Sequence, residues 1–282
     1  MPTKQKNWDI YFFAMKVGIS SILKGNCLIG IKQLLYPVGY WRFPVFPVVS
    51  KTIGNGSKKV LDIGSPKLLS LYLALILGHD VYATDLQDQL IYDRYYKHFR
   101  DYVFKRRGGG NYIVEYQDAR ALHYPDNYFD YVYSISVIEH IPKDGDSQAM
   151  QEIKRVLKPM GIAIIEVPFA TVEHDTFVEK SVFDRKYDNK PVFLERHYDE
   201  ISISKRLIEA SEMKPVDKMI TAERLPFEKY WEKVPSCMKN PLIWAEAIFS
   251  SFNHYFLADG EIEKLRFSKS NEMSVILILE KL

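Results

Sequence analysis

Apolar residues change their spacing several times along the chain, and each change predicts an element. Residues Asn7–Tyr36 carry apolar side chains at helical intervals with a break near Gly25–Asn26, which predicts one or two helices; Pro37, Pro44 and Pro47 then predict an extended connection. From Lys59 the rhythm becomes short apolar runs separated by helical stretches. Strands are expected at Val60–Ile63, Val81–Thr84, Tyr112–Tyr116, Tyr128–Ser134 and Ile162–Val167. Between them, helices are expected at Pro66–Leu77, from about Asp88 through Val103, and at Ser147–Leu157. The second of these ends at Lys105-Arg106-Arg107 followed by Gly108-Gly109-Gly110, a basic last turn and a glycine stop. Beyond Pro168 a polar stretch to Asp199 has little period. Helix Glu200–Ser211, strand Val216–Glu223, a helical region Phe227–Leu257 interrupted by Pro235 and Pro241, and a last strand Met273–Glu280 follow.

Strands alternating with helices of this length predict a parallel sheet covered on both faces, a doubly wound, Rossmann-like α/β fold. The expected organisation is an N-terminal helical attachment over residues 1–54 and one domain over 55–282, with a helical insertion at about 227–257. Charge adds one feature. The formal net charge is only +2, which does not fit a protein built to follow a phosphate backbone, so no nucleic-acid partner is expected. Up to Lys59, however, nine lysines and arginines face a single acidic residue, Asp9. Lysines 16 and 24 break any run that could serve as a signal peptide or approach the ~18 apolar residues of a span, so a cytoplasmic protein is expected. The basic head has two open roles. Helix Pro66–Leu77 is apolar nearly all round and needs an outer cover, which the head can supply. Apolar residues left over within residues 1–36, set among lysines, would suit peripheral contact with an anionic membrane. Cys27 and Cys237 are too few for a disulfide framework or a thiolate zinc site, and no metal site is expected.

In an open parallel sheet, ligands bind beyond the carboxyl ends of the strands. There the sequence places Asp62-Ile63-Gly64-Ser65, Asp85, Asp118 and the stretch from Ser134 to His140. Gly64 permits close approach of backbone to a ligand, and Ser65 can cap the following helix, whose N-terminus favours an anionic group. Asp85 is placed to accept from both hydroxyls of a ribose, and Asp118 from the exocyclic amine of an adenine. Singly, each of these is as easily a helix cap. At successive strand ends they point to a nucleoside-containing cofactor.

The strings Lys59-Val-Leu-Asp-Ile-Gly64, His79-Asp-Val-Tyr-Ala-Thr-Asp85, Asp118-Ala-Arg-Ala-Leu-His-Tyr-Pro125 and Asn127-Tyr-Phe-Asp-Tyr-Val-Tyr-Ser134 resemble, in that order, a class I S-adenosylmethionine-dependent methyltransferase. Ser136-Val-Ile-Glu-His-Ile-Pro142, then Glu152-Ile-Lys-Arg-Val-Leu-Lys-Pro159 and Gly161, resemble the type 11-like subfamily, in which many quinone, lipid and small-molecule methylases fall. The resemblance covers roughly Lys58 to Ala210. It implies a seven-stranded sheet with the last strand antiparallel and S-adenosylmethionine as cofactor. Its contacts are expected at Gly64, Asp85, Leu86, Asp118 and Ala119, with Asp62, Ser65 and Ser134 beside them. One departure stands out: where the family's first loop has its second and third glycines, this chain has Pro66 and Leu68. Pro66 suits the first position of a helix capped by Ser65, so helix entry is kept in a stiffer loop.

Methyl transfer from a sulfonium needs in-line approach, exclusion of water and, for a hydroxyl acceptor, a base. His140, just past the fourth strand with Glu139 beside it, is the first candidate. His197, in Arg196-His-Tyr198, is the second, at a place where the resembled subfamily often lines its substrate cavity. His174 follows the fifth strand. A nicotinamide dehydrogenase is disfavoured because no Gly-x-Gly-x-x-Gly follows the first strand. The expected function is methyl transfer to a small molecule, with lipids and quinones among the candidate acceptors, since Trp231, Trp244 and Tyr255 either pack the core or line a site for an apolar or planar acceptor; the alternative is a catalytically silent binding module with a degenerate cofactor loop.

Overall fold

The computed structural model describes residues 8–64, 67–86, 109–180, 187–225, 245–258 and 273–282. Ser65, Pro66, the helix expected from Asp88, and Trp231 and Trp244 lie outside these residues.

The chain begins with α1 (Trp8–Leu23), α2 (Cys27–Leu35) and α3 (Arg42–Ile53). The break between the first two falls at Gly25–Asn26, as the sequence predicts. α1 and α2 cross closely at two glycines: a Cβ on Gly30 would stand 2.6 Å from the Gly18 carbonyl oxygen, and one on Gly18 would stand 2.9 Å from that of Gly30. The expected extended connection through Pro44 and Pro47 is instead the helix α3. Pro44 is its third residue, where an amide has no intrahelical acceptor, so the proline costs little. Pro47 forgoes one bond deeper in the helix, and the burial of Phe43, Phe46, Val49 and Ile53 on the same element outweighs that loss.

The sheet follows: β1 (Lys59–Ile63), α4 (Lys67–Leu75), β2 (Asp80–Asp85), β3 (Tyr112–Tyr116), β4 (Phe129–Ile135), a 3₁₀ turn (Ile138–His140), α5 (Gly145–Val156) and β5 (Leu157–Phe169). Next come β6 (His174–Lys180), β7 (Tyr187–His197), α6 (Glu200–Ser202, continued as a π-helix over Ile203–Glu209), β8 (Lys214–Glu223), α7 (Glu246–Asn253), β9 (His254–Ala258) and β10 (Met273–Glu280). Eight strands form the main sheet in the order β3-β2-β1-β4-β5-β10-β8-β9. β1 to β5 run parallel, and β10 is antiparallel to both β5 and β8. The first seven positions are thus the expected doubly wound sheet with its last strand reversed. β9 adds an eighth strand, antiparallel to β8, and it corrects the expected helical reading of residues 254–257. Tyr255, Phe256 and Leu257 favour the pleat once helix α7 ends at Asn253.

Alternation along the strands divides the interior into two cores. Val60, Ile164 and Ile276 face one side with α1, α3 and α4; Leu61, Ile165 and Leu277 face the other with α5 and α6. Helix α4 is buried nearly all round, as its composition requires, and the N-terminal helices cover it: the Phe13 ring meets Tyr72 edge to face at 5.4 Å. What remains exposed on the helical hairpin is Phe12, Ile19 and Leu23 on α1 and Leu28, Ile31 and Leu35 on α2, among exposed Lys16, Lys24 and Lys32.

The stretch after Pro168 is not an aperiodic loop. It forms the antiparallel hairpin β6–β7, a separate two-stranded sheet joined to the end of β5 through Tyr198, whose backbone bonds to Pro168 and Ala170.

Candidate active site

Four adjacent parallel strands deliver the expected polar residues to one edge. Gly64 follows β1, Asp85 ends β2, Asp118 lies two residues beyond β3, and Ser134 is the last residue but one of β4, opposite Ile63. The Gly64 amide donates to the Thr84 carbonyl at 2.8 Å, holding the β1 exit against β2. Gly64 has φ +63°, and a Cβ there would lie 2.6 Å from Cγ1 of Val137, so both backbone conformation and space demand glycine. Leu68, in the place of a family glycine, is in the first turn of α4 and packs against the core.

The carboxylates differ in what holds them. Asp62 is fully buried, and its Oδ2 accepts from Ser70 Oγ, which also bonds the Tyr133 hydroxyl at 2.9 Å. Asp62 therefore ties β1 to α4 and β4, and its carboxylate is engaged behind the strand end. Asp118 is gripped by Arg120, whose amide donates to Oδ1 at 2.9 Å and whose Nη2 donates to Oδ2 at 2.6 Å. These hydrogen bonds from the Arg120 side chain hold the Asp118 carboxyl below the usual range. Ala119 is buried and Leu86 is exposed at the mouth. Ser134 is fully buried, and its hydroxyl has no hydrogen-bond partner among the described residues. A buried orphan hydroxyl at the end of β4 is what a polar ligand would complete. That hydroxyl, the Gly64 turn and Asp85 on the neighbouring strand end fit a cofactor with a ribose and a charged tail.

Past Ser134 the chain turns through Ser136, at φ +51°, whose hydroxyl donates to Glu166 Oε2 at 2.9 Å. The 3₁₀ turn then presents Glu139 and His140. Glu139 is 1% exposed, and neither carboxylate oxygen has a hydrogen bond of good geometry among the described residues. Burial raises its pKa well above the ordinary value, with Glu166 and Glu195 adding to the rise; the Glu139 and Val137 amides lie near enough to oppose it but do not cancel it. His140 Nδ1 lies 2.7 Å from the Leu194 carbonyl, so this nitrogen is the donor.

The two candidate histidines meet through a residue the sequence reading did not single out. Glu195, on β7, places Oε2 3.9 Å from His140 Nδ1 and Oε1 3.2 Å from His197 Nε2. The His197 hydrogen bond lowers the Glu195 pKa, and the charges of both histidines act the same way. His174, across the hairpin, stacks on His197 with ring centroids 4.6 Å apart. The signal for Glu195 was its two-residue spacing from His197, which puts both on one face of a strand, but it was hidden in a stretch whose strand character the sequence did not reveal. Arg196 between them points the other way and binds buried Asp146 at 2.7 Å, as does Arg206 at 2.8 Å; this clamp fastens the hairpin to α5 and α6.

The family model of a methyltransferase domain matches residues 61–165. Among solved structures, a S-adenosylmethionine-dependent methyltransferase from Methanosarcina mazei superposes with a TM-score of 0.50 at 14% identity, over 84% of this chain and 97% of that one. The [4+2]-cyclase SpnF superposes equally, with a TM-score of 0.50 at 18% identity, over 84% of this chain and 80% of that one. At these identities the likeness is one of fold. No protein of curated function matches the sequence.

Proposed function

We propose, from the match of residues 61–165 to a methyltransferase-domain model, that the protein is a class I S-adenosylmethionine-dependent methyltransferase that transfers the methyl group of that cofactor to a small-molecule acceptor. The observation that carries the proposal is the line of Asp118, Asp85, Gly64 and Ser134 across four neighbouring strand ends. When bound, S-adenosylmethionine supplies an electrophilic methyl on a sulfonium. Asp85 would hold the ribose hydroxyls, Asp118 and Ala119 the base, and the Gly64 turn and Ser134 the amino-acid tail, with Leu86 at the rim. Asp62 acts from behind by fixing the end of β1; Ser65, outside the described residues, keeps its proposed role at the start of α4.

His140 and His197, joined through Glu195, are the proposed bases for a hydroxyl acceptor. With His140 Nδ1–H directed to Leu194, Nε2 is the nitrogen with the lone pair that takes a proton. Incubation with radiolabelled cofactor and separated lipid, quinone and polar metabolite fractions tests the activity. The expected result is labelled product in one fraction, and a loss on the order of 10²–10⁴ in rate for His140→Ala or His197→Ala. Wild-type turnover in both variants would remove the histidines from the mechanism.

A second reading, a binding module without turnover, is favoured by the engagement of Asp118 with Arg120. It predicts no labelled product from any fraction. For the exposed apolar residues of α1 and α2 with their lysines, the proposed partner is an anionic membrane surface, which would suit an apolar acceptor. No helix among the described residues is long and apolar enough to cross a membrane.

A further inference from the structure

We propose that Glu139, His140 and Glu195 form a binding site for one divalent transition-metal ion, Zn²⁺ or Mn²⁺, beside the cofactor cleft. One ligand atom from each of the three lies within 4.8 Å of the others. Glu139 Oε1 is 3.8 Å from His140 Nε2, and Glu195 Oε2 is 3.9 Å from His140 Nδ1. Directly bonded histidine–carboxylate pairs would close to about 2.7–2.9 Å. Here each carboxylate stands apart from a ring nitrogen, Glu139 from Nε2 and Glu195 from Nδ1. Metal–ligand bonds of about 2.0–2.2 Å place tetrahedral neighbours roughly 3.3–3.6 Å apart, so the three ligand atoms, now within 4.8 Å of one another, would draw together by up to about 1.5 Å to seat an ion.

Two further observations point to a cation. The Glu139 carboxylate is buried and neither oxygen has a hydrogen bond of good geometry among the described residues, an arrangement that is costly unless something supplies positive charge. The supporting contacts are also those of a metal site. Leu194 accepts from His140 Nδ1–H at 2.7 Å and so fixes the tautomer that offers Nε2; His197 lies 3.2 Å from Glu195 Oε1 and orients that carboxylate. One imidazole with two carboxylates suits Zn²⁺ or Mn²⁺ rather than a thiolate-seeking ion. The sequence-based expectation of no metal considered only cysteines; this set comes from two elements that the fold alone brings together. Resting on the methyl-transfer reading, the ion would occupy Nε2 of His140 and leave His197 as the base, and the open coordination position would take an oxygen of the acceptor, which makes a hydroxyl-bearing acceptor the expected class.

The test is calorimetric titration of the chelator-treated full chain with Zn²⁺ and with Mn²⁺, the latter also followed by electron paramagnetic resonance. One ion per chain with a micromolar dissociation constant is expected. Glu139→Gln and Glu195→Gln should each weaken binding at least tenfold, and His197→Ala by about 10–100-fold. If Glu139→Gln does not fold, Glu195→Gln decides alone, since its side chain is at the partly exposed face of the hairpin. Absence of saturable binding to the wild-type chain at millimolar ion overturns the site, as does wild-type affinity in every folded variant, which would assign the ion to surface groups. Titration of the same preparation with S-adenosylmethionine separates the two proposals, because metal binding can fail while cofactor binding persists.

Discussion

Arg196 donates from Nη1 to Oδ2 of Asp146 at 2.7 Å, with the Arg196 side chain 7% exposed and that of Asp146 fully buried. This pair decides where Glu195 and His197 stand, because the strand that turns Arg196 inward turns its two neighbours to the other face. Arg206 and the Tyr198 hydroxyl complete the clamp on the same carboxylate, at 2.8 and 2.9 Å.

Asp146→Asn is expected to lower stability by about 3–5 kcal/mol, the scale for removing one partner from a buried ion pair, as measured by urea unfolding. The acid limb of stability should change too. Burial raises the Asp146 pKa, but hydrogen bonds from Arg206 and Tyr198 and the Arg206 charge outweigh it, leaving the folded value below the ordinary one. Its stabilisation is therefore complete above the unfolded carboxylate pKa of about 3.9 and is lost as pH falls through the lower folded value. The variant should lose less stability than wild type between about pH 5 and pH 2. An unchanged acid slope would show that the pair is energetically idle.

Gly64→Ala is expected to cost about 1–2 kcal/mol for the left-handed backbone, with about 1–3 kcal/mol more for displacing Val137. Because the same turn lines the cleft, cofactor affinity should fall with the melting temperature. Val137→Ala in the Gly64→Ala background should restore part of both, as thermal melts and calorimetry would show; absence of any rescue would mean that the contact with Val137 does not set the cost.

Much of this architecture is legible in the sequence, because β1 to β5 are apolar runs whose buried residues leave little choice of element. Polar residues at their carboxyl ends were equally legible, since strand ends are where such residues have work other than packing. The hairpin β6–β7 was hidden because its faces are mixed: His174 and Glu173 are exposed while Arg196 is buried on Asp146, so no alternation of apolar and polar residues marks the strands. α3 was hidden by local chemistry. Two prolines argue for extension there, and only tertiary burial of Phe43, Phe46 and Val49 reverses that preference. The link through Glu195 depends on the hairpin and could not be seen before it.

The helical hairpin α1–α2 should bind anionic vesicles in a salt-sensitive manner. Each of Lys16, Lys24 and Lys32 contributes about 1 kcal/mol near a negative surface. Leu23 and Leu28 are 82% and 87% exposed, so Leu23→Glu with Leu28→Glu should abolish co-sedimentation and leave the melting temperature within about 2 °C of wild type. Equal sedimentation of this variant, or none of the wild-type protein at low salt, would confine the helices to covering α4.

The central claim is that Asp118, Asp85, Gly64 and Ser134 line a cleft for S-adenosylmethionine, and calorimetric titration of wild type and Asp85→Ala with that cofactor tests it most directly. Saturable one-to-one binding to wild type, weakened in the variant by about 1.5–3 kcal/mol for loss of hydrogen bonds to a charged group, is the predicted result. No binding to the folded wild-type chain, or the same affinity in Asp85→Ala, would contradict it.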